Sequence, residues 1–95
     1  MRFVSSFGII TLTDERKTHI CAFHPDIIGC LPFFADTLAN PDITIISAHD
    51  PTVVICYSLI ARRKKYLAIV IKTGLRPFVL TAYIAKKPKQ GTLYS

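Results

Sequence analysis

The alternation of apolar and polar residues is clearest between Lys65 and Gly91. In Lys65–Lys72, Leu67, Ile69 and Ile71 fall on one face, and Tyr66, Ala68, Val70 and Lys72 on the other. A break at Gly74 and Pro77 follows. A second run then places Phe78, Leu80, Ala82 and Ile84 on one face and Val79, Thr81 and Tyr83 on the other. This pattern predicts two buried antiparallel strands that end in a basic tail. Two further strands are expected upstream, Ile43–Ser47 and Val53–Ile60, separated by a turn at His49-Asp50-Pro51. Arg62-Arg63-Lys64-Lys65 makes a basic hairpin turn, and Phe7–Leu12 reads as a short first strand.

Between Thr13 and Asn40 the pattern changes. Thr13 can cap a helix whose first turn holds Asp14 and Glu15, acids suited to the positive end of the helix dipole. Pro25 disfavours helical geometry at His24, so this helix should stop near Phe23. Pro25-Asp26 suits the first turn of a second helix, about Asp26–Ala39. Pro32 should kink or split it, and Asn40-Pro41-Asp42 ends it. The expected class is α+β: two N-terminal helices packed on a mainly antiparallel sheet of four to five strands, arranged as a meander in one domain spanning 1–95.

Composition sharpens the functional question. Of 95 residues 51% are hydrophobic, enough for a packed interior, and the net charge is +6. A small basic domain suits an anionic partner such as nucleic acid, an acidic protein or a membrane surface. No secretory signal is expected at the N-terminus and no run reaches the ~18 apolar residues of a membrane span, so a cytoplasmic protein with no membrane partner is expected. Cys21, Cys30 and Cys56 are odd in number and widely spaced. They are read as free, buried thiols, with no zinc site.

The basic residues cluster. Arg62, Arg63, Lys64 and Lys65 crowd one turn, and Lys86, Lys87 and Lys89 crowd the tail. Antiparallel pairing would bring both groups to one end of the sheet, where they could hold a phosphate backbone or remain solvated. His19 and His24 lie five residues apart across the proposed helix break, and His49 lies in a turn. No metal motif, serine elbow, phosphate-binding loop or dinucleotide fingerprint is present, and no cofactor is expected. What remains is histidine, lysine, threonine and tyrosine on a small basic sheet. That set suits metal-independent RNA cleavage, in which the RNA supplies its own 2′-hydroxyl nucleophile. An imidazole moves the proton, lysine supplies charge and hydroxyls orient the phosphate. Thr81 and Tyr83 could equally be packed strand residues, and Lys72 a solvated strand end.

These residues also form an ordered set of short motifs. T-H-I-x-x-x-H-P-D (Thr18–Asp26) is followed by N-P-D (Asn40–Asp42), K-Y-L-x-I-V-I-K (Lys65–Lys72), and T-A-Y with K-x-x-K-Q-G (Thr81–Gly91). From about Leu12 to Gly91 the chain resembles the phage- and plasmid-borne branch of the barnase, EndoU, colicin and RelE-like (BECR) nuclease superfamily. Asp26 stands where that branch more often has Glu. The resemblance implies helices on an antiparallel sheet and an endoribonuclease, often a toxin held by an acidic antitoxin. It implies His24 as the proton acceptor or donor, His19 as its assistant and Lys72 as a source of charge. Thr81 and Tyr83 would position phosphate, and Lys86 or Lys89 would bind the RNA backbone. Two alternatives stand beside it. The chain could bind RNA or an antitoxin without cutting, or it could be a structural, oligomerising domain that pairs through an edge strand such as Ile43–Ser47.

Overall fold

The computed structural model describes residues 1–94. They form strands β1 (Arg2–Ser5), β2 (Gly8–Thr11), β3 (Ile43–Ser47), β4 (Val53–Ile60), β5 (Lys65–Lys72), β6 (Phe78–Ala85) and β7 (Gly91–Leu93). Helices α1 (Asp14–Phe23) and α2 (Phe34–Ala39) flank a 3₁₀ segment, Pro25–Phe33. All strands belong to one sheet in the order β1-β2-β6-β5-β4-β3-β7. The α+β class and the β3-to-β6 meander match the sequence pattern. The sheet has seven strands rather than four or five, and the two that the pattern did not announce, β1 and β7, are its two edges.

At one end, the expected strand Phe7–Leu12 is realised as β2 (Gly8–Thr11), which forms a hairpin with β1. Ser5 pairs with Gly8, and Phe3 with Ile10. Gly8 takes φ +100°, which closes the Ser6-Phe7 turn at no Cβ cost. Ser5 Oγ accepts the Phe7 N–H at 3.0 Å and donates to the Gly8 carbonyl at 2.9 Å. The hairpin joins β6 by one parallel bridge, Thr11 to Phe78. At the other end the basic tail becomes β7, which pairs with β3. The Ile43–Ser47 strand therefore has neighbours on both sides, which removes the free edge that the oligomerisation alternative invoked.

One face of the sheet carries the helices. Val54, Cys56, Leu67, Ile69, Ile71, Val79 and Ala82 meet Ile20, Ile27, Cys30, Phe34 and Leu38 there. Thr13 Oγ1 accepts the Arg16 N–H at 3.1 Å and starts α1 as expected. That helix buries Ile20 alone. The second helix is split near Pro32: its first part is 3₁₀ and only Phe34–Ala39 is α-helical. An α-helix here would set the Pro32 ring against the carbonyl of Ile28.

The other face is also covered. Ile45, Ile55, Tyr57 and Ala68 form a second buried cluster. The connection from β6 to β7 must pass β5, β4 and β3 within Lys86–Gln90. On the way the Lys89 N–H donates to Tyr57 Oη at 3.0 Å, so the tail straps this face. Within β6 the alternation expected from sequence fails at one point. A register shift opposite Val70/Ile71 leaves Leu80 unmatched, and Val79 pairs with Ile71. The extra residue turns Val79 to the helix side with Ala82 and leaves Thr81 and Tyr83 on the strapped face.

Candidate functional site

His24 sits where α1 ends and the 3₁₀ segment begins. Its N–H donates to the Ile20 carbonyl at 2.8 Å, and its own carbonyl accepts the Ile27 N–H at 2.9 Å. With φ −132° and ψ 75° it has left the helical region, as a residue before proline should. Both backbone groups are thus committed to helix ends. β2 pairs with β6 only at Phe78, so the outer edge of β6 beyond that point has no strand beside it. The helical layer lies along this edge, with Arg16 Nη1 donating to the Leu80 carbonyl at 3.4 Å. The imidazole reaches the edge there. Its ring centre is 6.2 Å from that of Tyr83, with the planes inclined at 42°.

A cation completes the group. Lys89 Nζ lies 5.5 Å from the centre of the Tyr83 ring, within cation–π range. The Tyr83 hydroxyl is buried with no hydrogen-bond partner. It lies near that of Tyr57, whose pKa is raised, chiefly by burial, against the opposing Lys89 N–H bond and with a further upward push from Tyr83. Tyr83 therefore does not present its hydroxyl to a phosphate, contrary to the sequence-based expectation. It supports His24 and Lys89 with its ring. Thr81, two residues back on the same face, is half-buried and makes no side-chain hydrogen bond among the described residues.

The other expected members of the site are dispersed. Lys72 pairs with Phe78 at the far end of the β5–β6 ladder, while Tyr83 pairs with Ala68. Four residues of strand separate those levels, about 13 Å. Lys72 Nζ bonds Asp50 Oδ2 at 3.1 Å and the Thr52 hydroxyl, so its charge serves the 49–52 turn and not the His24 edge. His19 is exposed on α1 and packs against Phe23 with ring centres 4.6 Å apart and planes inclined at 44°, so the two imidazoles have different aromatic neighbours. The basic groups do converge in part. Tyr66 pairs with Ala85, which sets Lys65 and Lys86 at one end of the sheet. Lys64, Lys86, Lys87, Lys89, Arg62 and Arg63 are all exposed.

The thiols are poorly placed for nucleophilic work. Cys56 is buried and its pKa is pushed up to about 11, mainly by desolvation. Cys30 is buried as well, and its pKa is raised by desolvation, with Arg63 opposing and Asp26 adding to the shift. Cys21 is only half-buried, unlike the expectation for all three. Among the described residues no three His, Cys, Asp or Glu side chains gather as a metal site would require. Among the described residues no helix is long and apolar enough to cross a membrane.

Sequence reasoning missed Tyr57. Its alternation in β4 marks it only as a strand residue, and nothing local signals that a tail amide returns to its hydroxyl. No protein-family model, curated protein or solved structure matches the chain.

Proposed function

We propose that the chain is a metal-independent endoribonuclease of toxin type, working at the open edge of β6. The observation that carries this proposal is the His24–Tyr83–Lys89 cluster, an imidazole and an ammonium group held by one aromatic ring. His24 takes the proton of the RNA 2′-hydroxyl, whose oxygen attacks the adjacent phosphorus. The bond to the 5′-oxygen breaks, leaving a 2′,3′-cyclic phosphate and a 5′-hydroxyl end that takes its proton from water. Lys89, with Lys86 beside the strand end, offsets the charge that builds on the phosphate oxygens. Thr81 supplies a free hydroxyl to orient the phosphate. Tyr83 is a positioning residue. An acidic antitoxin would compete for the same cations.

A second function has its own support. Among the described residues His19 packs on Phe23 and Lys72 is bonded to Asp50, so no second imidazole pairs with His24 as an acid–base partner. The same surface would then hold RNA or an acidic protein without cutting. Incubation of the purified chain with RNA in EDTA separates the two. Products ending in a 2′,3′-cyclic phosphate that vanish in His24→Ala support cleavage. Salt-sensitive binding without products supports the binding module.

A further inference from the structure

On the helical face of the sheet lies a hollow of about 500 Å³, within the size range of small-ligand sites. It opens between the 3₁₀ segment, α2 and the β4–β5 turn. Asp26, two residues after His24, and Asp36 supply carboxylates, and Arg62 and Arg63 supply guanidinium groups. The one ion pair among the described residues is Lys72–Asp50, so these four charges face one hollow without neutralising each other. Phe33 offers an aromatic ring that is 61% exposed. Leu67 and Cys30 make an apolar floor. Thr37 Oγ1, fully buried and without a hydrogen-bond partner, belongs to a residue of the same wall.

Unpaired carboxylates and guanidiniums around an aromatic ring call for a flat ligand with donors on one edge and acceptors on another. An ionised carboxylate only accepts hydrogen bonds, and a guanidinium only donates. Guanine alone among the RNA bases offers two adjacent donors, N1–H and the 2-amino group, to a carboxylate. Its O6 and N7 accept an arginine fork. Unpaired RNA bases are commonly read by stacking on an aromatic ring and by hydrogen bonds to these edges. We infer that the hollow between the 3₁₀ segment and the β4–β5 turn receives an unpaired guanine of the RNA substrate. The inference deepens the proposed ribonuclease function and rests on it for the choice of RNA. Asp26 and Asp36 bind the donor edge, Arg62 or Arg63 binds the acceptor edge, and Phe33 stacks on the base.

The test uses the intact chain and short 2′-O-methyl oligonucleotides, which cannot be cut through a 2′-hydroxyl. Oligouridine carrying one central guanine is compared with the same oligomer carrying adenine or uracil, and with guanosine monophosphate alone. The guanine oligomer should bind at least about fivefold more tightly than the others. Asp36→Asn or Asp26→Asn should abolish that preference, while Lys86→Ala should weaken all oligomers alike. Both aspartates are exposed, so the variants should melt near the wild-type temperature. Equal binding of the three oligomers, or a guanine preference that survives both substitutions, overturns the inference. Guanosine monophosphate bound as tightly as the oligomer would reveal a free-nucleotide site and overturn the RNA assignment. None of these readings depends on cleavage, so failure of the EDTA assay remains a separate result.

Discussion

Lys72 Nζ lies 3.1 Å from Asp50 Oδ2, a contact that ties the end of β5 to the turn before β4. The Thr52 hydroxyl and backbone N–H, together with Lys72, hold the Asp50 carboxyl down from 3.8 to about 2. Because the folded value is depressed, the stabilisation is fully present above the ordinary carboxylate value. It fades as pH falls through the window from 3.8 to about 2. The Asp50 carboxyl carbon should therefore titrate near pH 2 by NMR. Thr52→Val and Lys72→Met should each raise that midpoint, and an unchanged midpoint in either variant would remove that side chain from the account.

The same contact bears on catalysis. If Lys72 serves the turn, Lys72→Ala should leave the RNA cleavage rate within about threefold of wild type, far from the roughly 10²–10³-fold loss expected for a group that stabilises the transition-state charge. Initial rates on one RNA at fixed salt measure this.

Tyr57 receives the strap. Tyr57→Phe removes the acceptor of the Lys89 N–H and should cost about 0.5–1.5 kcal/mol in denaturant unfolding. Amide exchange should accelerate at Lys89 and in β7 while the amides of Leu67–Ile71 stay protected. Uniform loss of protection would mean that the strap and sheet unfold as one unit.

Gly91 opens β7 where the chain passes tightly over β3. A Cβ there would strike the Ile46 carbonyl oxygen and lie 2.6 Å from Ile45 Cγ2. Gly91→Ala should detach β7, exposing the outer edge of β3, and the variant should self-associate more readily in sedimentation. An unchanged monomer fraction and unchanged β7 exchange would contradict this.

Much of the architecture was legible from local chemistry. Thr13 and Pro25 mark the ends of α1, Pro32 marks the split that follows, and the alternation in Lys65–Lys72 assigns both faces of β5. What stayed hidden depends on contacts distant in sequence. Gly91–Leu93 is too short and polar to announce a strand, and it becomes one only through β3. The register shift at Leu80 reverses the face of Val79, and no residue type in Phe78–Ala85 signals it. For the site, the placement of His24 follows from Pro25, and its meeting with Tyr83 follows from the unpaired edge of β6. The removal of Lys72 does not. It depends on Asp50, read from sequence only as part of a turn, and on Thr52, which no sequence signal singles out.

The most direct measurement is the rate of RNA cleavage in EDTA by wild type, His24→Ala, Tyr83→Phe and Tyr83→Ala. In the proposed site Tyr83 acts through its ring, so Tyr83→Phe should keep most activity, Tyr83→Ala should lose much of it, and His24→Ala should lose roughly 10²–10⁴-fold. Cleavage by His24→Ala at the wild-type rate, or no cleavage by the wild type, would contradict a nuclease centred on the β6 edge.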